Sequence, residues 1–207
     1  MRFKEDSIAR LDAETIRQRV GYYRWTHDLV EVTGDDAEAA LELIYVNSIS
    51  KATPGRTKYT TMLNEDGEII DDVIVMHMDE EKYWVSSLYG PRLIPWLEAH
   101  KGDFDVQTKL ITYDWDMYAV QGPDSPAAMN LMLETPIDEM KRFRVEPNSI
   151  NGIPVYIHRS GFTGENGYEV YCPFDKTAEV KEAIDFFFND TATTEIYTLE
   201  VFVRSIP

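Results

Sequence analysis

Two adjacent carboxylates, Asp71 and Asp72, interrupt an otherwise apolar run, Glu68-Ile69-Ile70-Asp71-Asp72-Val73-Ile74-Val75. In an extended chain neighbouring side chains point to opposite faces, so one of the two must face inward. A buried carboxylate is tolerated only with a cation or hydrogen-bond donors around it. A salt-bridged edge strand meets that requirement. So does a carboxylate placed to accept a hydrogen bond from a substrate nitrogen. The second candidate is the glycine-rich run Ser160-Gly161-Phe162-Thr163-Gly164-Glu165-Asn166-Gly167. It lacks the Gly-Lys-Ser/Thr ending of a phosphate-binding loop and leads into a strand-like segment, so it reads as a glycine-permitted loop between strands. His27, His77, His100 and His158 are scattered with no pair at i, i+4, and Cys172 is the sole cysteine. A histidine or thiolate metal site is therefore not expected, nor an intrachain disulfide. His27 and His158, in strand-like runs, read as ordinary polar positions.

The elements that must position these residues follow from periodicity. Ile8, Leu11, Ile16 and Val20 mark an amphipathic helix over 7–20, and residues 37–46 form a second, with Asp35 or Asp36 as its N-cap. Residues 27–32 read as a strand ending at Gly34. Strands over 58–63 and 69–78 flank Asn64-Glu65-Asp66-Gly67, whose Asp-Gly ending is a hairpin signal. Residues 82–88 form a strand, and 91–100 a helix with its second proline near the first turn. Strands over 105–114 and 116–122, a helix over 126–133, and strands over 152–160 and 167–173 complete the series. Residues 32–49 align with 120–137, matching Gly34 to Gly122, Asp36 to Asp124 and Leu43 to Leu131. Each copy is strand, glycine turn and helix, the unit of a split βαβ arrangement. Hairpin signals outnumber crossover helices, which predicts an α+β fold with mainly antiparallel sheet and a ferredoxin-like repeat.

Composition narrows the partners. In 207 residues, 37 acidic side chains oppose 20 Lys and Arg, a net charge of −17. Such a surface repels nucleic-acid phosphates and anionic lipid. The N-terminal stretch is charged and shows no secretory apolar region, and no run reaches membrane-spanning length, so a cytoplasmic location is expected.

Three blocks in this order, residues 55–75, 118–132 and 158–171, resemble the aminomethyltransferase family: the T protein of the glycine cleavage system and its folate-dependent relatives. The similarity runs with few gaps from about residue 20 to 184. It implies the T-protein folate-binding architecture, with residues 1–33 and 125–207 as a discontinuous first domain and 34–124 as an inserted ferredoxin-like domain. On this resemblance the family's C-terminal domain is expected to be absent from residues 1–207. The stretch 186–198 resembles the translation of a sequencing-library adapter and is expected to be non-native and poorly packed.

The resemblance also implies site residues and chemistry. Asp72 matches the catalytic carboxylate beside the reactive folate nitrogens, Tyr59 an aromatic residue of the folate pocket, and Glu169 the acid that binds the pterin ring. Phe162 stands where T proteins usually have Tyr, and Ser87 where they have Asn beside the cofactor. The implied cofactor is tetrahydrofolate, the implied activity aminomethyl transfer with ammonia release, and the implied partners lipoylated H protein or a small methyl or aminomethyl donor. A folate-dependent demethylase and a non-enzymatic folate-binding iron–sulfur assembly factor are the alternatives.

Overall fold

A computed structural model describes residues 7–25 and 27–190. In chain order its elements are α1 (Ser7–Gln18), β1 (Gly21–Trp25), β2 (Asp28–Thr33), α2 (Ala37–Ile44), β3 (Thr57–Leu63), β4 (Ile69–Asp79), β5 (Lys82–Ser87) and α3 (Gly90–His100). They continue with β6 (Gln107–Leu110), β7 (Trp115–Gln121), α4 (Ser125–Met132), β8 (Val145–Ile150), β9 (Ile153–His158), β10 (Gly167–Pro173) and α5 (Thr177–Asp190). The α+β class expected from the hairpin signals is the class observed. Among the described residues no helix is long and apolar enough to cross a membrane.

The chain divides into two compact units. The first takes Met1–Thr26, Asp116–Arg142 and Glu146–Pro207; the second takes His27–Trp115 and Phe143–Val145. These boundaries precede the expected ones at 34 and 124. The reason is strand pairing: β2 joins β5 and β6 in the second unit's sheet, whereas β7 joins β1 in the first.

The second unit's sheet has the order β3-β4-β5-β2-β6. Its β2–α2–β4–β5–α3–β6 course is the ferredoxin-like pattern, with β3 added at the edge. The core between sheet and helices holds Val30, Val32, Leu41, Val73, Val75, Tyr83, Val85, Leu93 and Leu97. The first unit's sheet, β1-β7-β10-β9-β8, is wired alike. There β7–α4–β8–β9–β10–α5 follows the course of β2–α2–β3–β4–β5–α3, and the place of β6 is filled by β1 from earlier in the chain. Tyr22, Tyr118, Val120, Met129, Tyr168, Val170, Val180 and Ile184 lie in that core.

The repeat seen in the sequence is therefore a repeat of structure. Gly34 and Gly122 have φ of 122° and 132°, a region L side chains rarely adopt. A Cβ at Gly34 would collide with the Asp105 carbonyl oxygen, and one at Gly122 with the Arg19 carbonyl oxygen. The same carbonyls accept the N–H of Asp36 and Asp124 respectively. Asp36 holds the N-cap position as expected, but its side chain caps no helix N–H. Its Oδ2 instead accepts the Asp105 N–H at 2.9 Å, fastening the segment that enters β6.

Three further corrections have physical causes. Pro91 occupies the first turn of α3, and Pro95 lies in the helix interior rather than near the start. Strand β8 escaped notice because Val-Glu-Pro-Asn-Ser-Ile carries a proline, which an edge strand tolerates. The poor packing expected over 186–198 does not hold at its start: α5 runs to Asp190, and Phe188 is 3% exposed. Helical spacing explains this, since Val180, Ile184 and Phe188 recur at four-residue intervals on one stripe. Residues 191–198 lie outside the described residues.

Two stability predictions follow. Gly34→Ala and Gly122→Ala should each destabilise the chain by at least about 1–3 kcal/mol in urea unfolding, because both the φ and the carbonyl contact oppose a Cβ. Phe188→Ala, which empties a site 4.9 Å from the Tyr22 ring centroid, should cost about 3–5 kcal/mol in the same measurement.

Candidate functional site

In the second unit, strand alternation separates the paired carboxylates. Val73 and Val75 belong to the core beneath α2 and α3, which assigns Asp71 to that face and Asp72 to the opposite one. Asp72 is exposed, and its Oδ2 accepts the Tyr59 hydroxyl at 3.1 Å. The two side chains meet because β3 pairs with β4 in a register that sets Tyr59 opposite Ile74 and Thr61 opposite Asp72, making them diagonal neighbours. This hydrogen bond to Asp72 holds the Tyr59 phenol above its ordinary pKa, so it remains a donor.

Asp71 is 5% exposed. Ser87 donates its hydroxyl to Asp71 Oδ2 and accepts the Tyr89 N–H at 2.8 Å. Ser87 therefore serves Asp71 and does not share a face with Tyr59 and Asp72. Asp71 Oδ1 and the Tyr45 hydroxyl are buried and have no hydrogen-bond partner among the described residues. Burial raises the Asp71 pKa above its ordinary value, opposed by the Ser87 bond and the Arg92 charge.

The first unit holds Phe162 and Glu169. Glu169 lies directly opposite His158 in the β9–β10 ladder. His158 Nδ1 lies 2.7 Å from Glu169 Oε2, and the Tyr171 hydroxyl reaches the same oxygen at 3.2 Å. His158 is fully buried, and Glu169 is 8% exposed. Nearby, the Tyr23 hydroxyl is buried with no hydrogen-bond partner among the described residues. Burial, and secondarily the Glu169 charge, drives the Tyr23 pKa upward, keeping that hydroxyl protonated.

The glycine-rich loop is fastened to Gln121. Gln121 donates to the Ser160 carbonyl at 3.2 Å and accepts the Thr163 hydroxyl at 2.7 Å. A Cβ at Gly167 would press on the Gln121 amide, which would have to shift from the loop it fastens. The loop presents Phe162, 60% exposed, against Trp25 at 4.4 Å and edge-on to Tyr23 at 6.1 Å between ring centroids. Sequence reasoning missed His158, Gln121, Tyr23 and Tyr171. Alternation in Glu169-Val170-Tyr171 carried the signal for Tyr171, whereas His158 depends on a register that only the folded hairpin fixes.

The Asp71 environment sets a pH dependence. A carboxyl whose folded pKa is raised is protonated more readily in the folded than in the unfolded chain. Its contribution to stability thus falls as pH rises from about its ordinary value of 3.8 through the raised folded value. Asp71→Asn keeps an acceptor for Ser87 and removes the charge. It should be more stable than wild type at pH 7, with the advantage vanishing towards pH 3, as read by urea titrations across that range.

Known proteins share this fold and part of this sequence. The chain is 28% identical over 182 residues to an aminomethyltransferase of Staphylococcus carnosus (strain TM300), covering 86% of this chain and 50% of the relative. The crystal structure of glycine cleavage system aminomethyltransferase T from Bartonella henselae superposes with a TM-score of 0.76 at 22% identity, covering 87% of this chain and 48% of that one. A chain of the heterotetrameric sarcosine oxidase from Corynebacterium sp. U-96 shares the fold at a TM-score of 0.62 and 15% identity, over 94% of this chain and 98% of that one. The chain thus spans about half the length of the two aminomethyltransferases it matches. The pattern of the GCVT N-terminal domain matches residues 2–185, and the chain belongs to that family.

Proposed function

We propose that this chain is the folate-binding part of a tetrahydrofolate-dependent one-carbon transferase of the T-protein type, one that passes an aminomethyl group to tetrahydrofolate and releases ammonia. The observation that carries this reading is Glu169: a nearly buried carboxylate with two neutral-capable donors on one oxygen, as a site for a pterin edge requires. A pterin presents an N–H beside an amino group, and a fixed carboxylate can accept from such an edge. Phe162 with Trp25 gives an apolar wall suited to a flat ring. Tyr59 fixes Asp72 Oδ2, leaving Oδ1 to accept from a reacting folate nitrogen.

Bound tetrahydrofolate would supply the nucleophilic nitrogen that takes the one-carbon unit. The chain's own work would be positioning: Glu169 orients the ring, Tyr59 holds Asp72, and Asp72 orients the reacting centre. Lipoylated H protein is the proposed donor of the aminomethyl group. The apolar Trp25–Phe162 wall also favours a second reading, demethylation of a small methylated amine.

Calorimetry with tetrahydrofolate should show saturable binding. Glu169→Gln should weaken it by about 1–3 kcal/mol, because an acceptor becomes an amide. Absence of heat or saturation at millimolar ligand would overturn the folate reading. Folate products formed from lipoylated H protein, against those formed from methylated amines, separate the two donors.

A further inference from the structure

Glu169 is held from one side only. Both of its donors, His158 Nδ1 and the Tyr171 hydroxyl, meet Oε2, and Oε1 receives no hydrogen bond from the described residues. His158 and Tyr171 share the face of Glu169, His158 as its cross-strand partner and Tyr171 two residues along β10. Ile157 and Val170, the next residues on each strand, point instead into the core with α4 and α5. His158 itself is fully buried, so its ring cannot swing away to water.

A glutamate side chain has three rotatable bonds, and ordering it costs rotamer entropy. If that cost falls at the moment a ligand binds, it subtracts from affinity. A donor that fixes one carboxylate oxygen beforehand removes the cost and leaves the other oxygen presented. From this geometry we infer that His158 is a positioning residue for ligand binding: its Nδ1–H anchors Glu169 Oε2 so that Oε1 accepts from the ligand's N–H edge. The inference rests on the reading of Glu169 as a pterin-binding acid.

The alternative is that His158 merely fills a buried site. The two roles separate in a cycle of variants of the intact chain, titrated with tetrahydrofolate by calorimetry, with thermal unfolding recorded beside it. His158→Asn retains an N–H donor near the place of Nδ1, and His158→Val keeps strand preference but has no donor. His158→Asn should bind within about twofold of wild type, and His158→Val about tenfold more weakly, the scale of one immobilised side chain. In a Glu169→Gln background, His158→Val should cause little further loss of affinity, since it acts through the carboxylate. A merely structural role predicts loss in both backgrounds, following the fall in melting temperature.

Binding by His158→Val at wild-type affinity overturns the inference and leaves the folate reading intact. So does an equal loss for His158→Val in both backgrounds. A wild-type chain that takes up no tetrahydrofolate overturns the folate reading, and this inference with it. If His158→Val does not fold, the His158→Asn arm still decides: tenfold weakening despite a retained donor and unchanged melting temperature overturns the anchor.

Discussion

A carbonyl oxygen pressed against a glycine that has no Cβ sets the register of both sheets. At Gly34 the oxygen belongs to Asp105, and at Gly122 to Arg19. With the turn held there, the Gly34 N–H reaches the Glu81 carbonyl and the Gly122 N–H reaches the Asn166 carbonyl. These bonds fix where β5 and β10 start relative to the turn. Because side chains alternate with a period of two, the start also decides which side chains enter the core. Tyr83 and Val85 enter it in the second unit, Tyr168 and Val170 in the first.

One consequence is that Glu169 takes the register position that Trp84 takes in the other unit, each three residues beyond the bonded carbonyl. Trp84 suits a buried position: its indole contributes apolar area, and its single N–H goes to Glu31 Oε2 at 3.2 Å. A carboxylate at the equivalent place has no such area and must recover its lost hydration from donors. His158 and Tyr171 provide them on one oxygen. The fold thus offers the same buried place twice. An aromatic residue fills it in one unit, and a carboxylate held by His158 and Tyr171 fills it in the other.

Local signals in the sequence were enough for the repeated strand-turn-helix unit, since Gly34 with Asp36 and Gly122 with Asp124 mark it without any distant contact. Alternation was enough to separate Asp71 from Asp72. What stayed hidden depended on pairing across sequence distance. The Glu169–His158 contact needs the β9–β10 register, and the unit boundaries need the knowledge that β2 pairs with β6 and β7 with β1. The resemblance set Ser87 where the family has Asn beside the cofactor, and alternation along β5 carries its hydroxyl to Asp71. Phe188 was masked by two neighbouring phenylalanines, which blurred a helical stripe that Val180 and Ile184 had begun.

Three carboxylates on these sheets differ in the number and placement of their donors. Asp71 lies under the helices with one oxygen bonded to Ser87 and the other buried without a hydrogen-bond partner among the described residues, and burial raises its pKa. Leaving that oxygen unpaired is a cost to the fold. Asp72 is exposed on the opposite face, with one oxygen held by the Tyr59 hydroxyl, so it is inexpensive to keep. Glu169 lies between these extremes. It is buried enough for its hydrogen bonds to be strong, and anchored on one oxygen only. On the face away from the helices its second oxygen keeps its acceptor capacity, and the proposed folate reading rests on that oxygen.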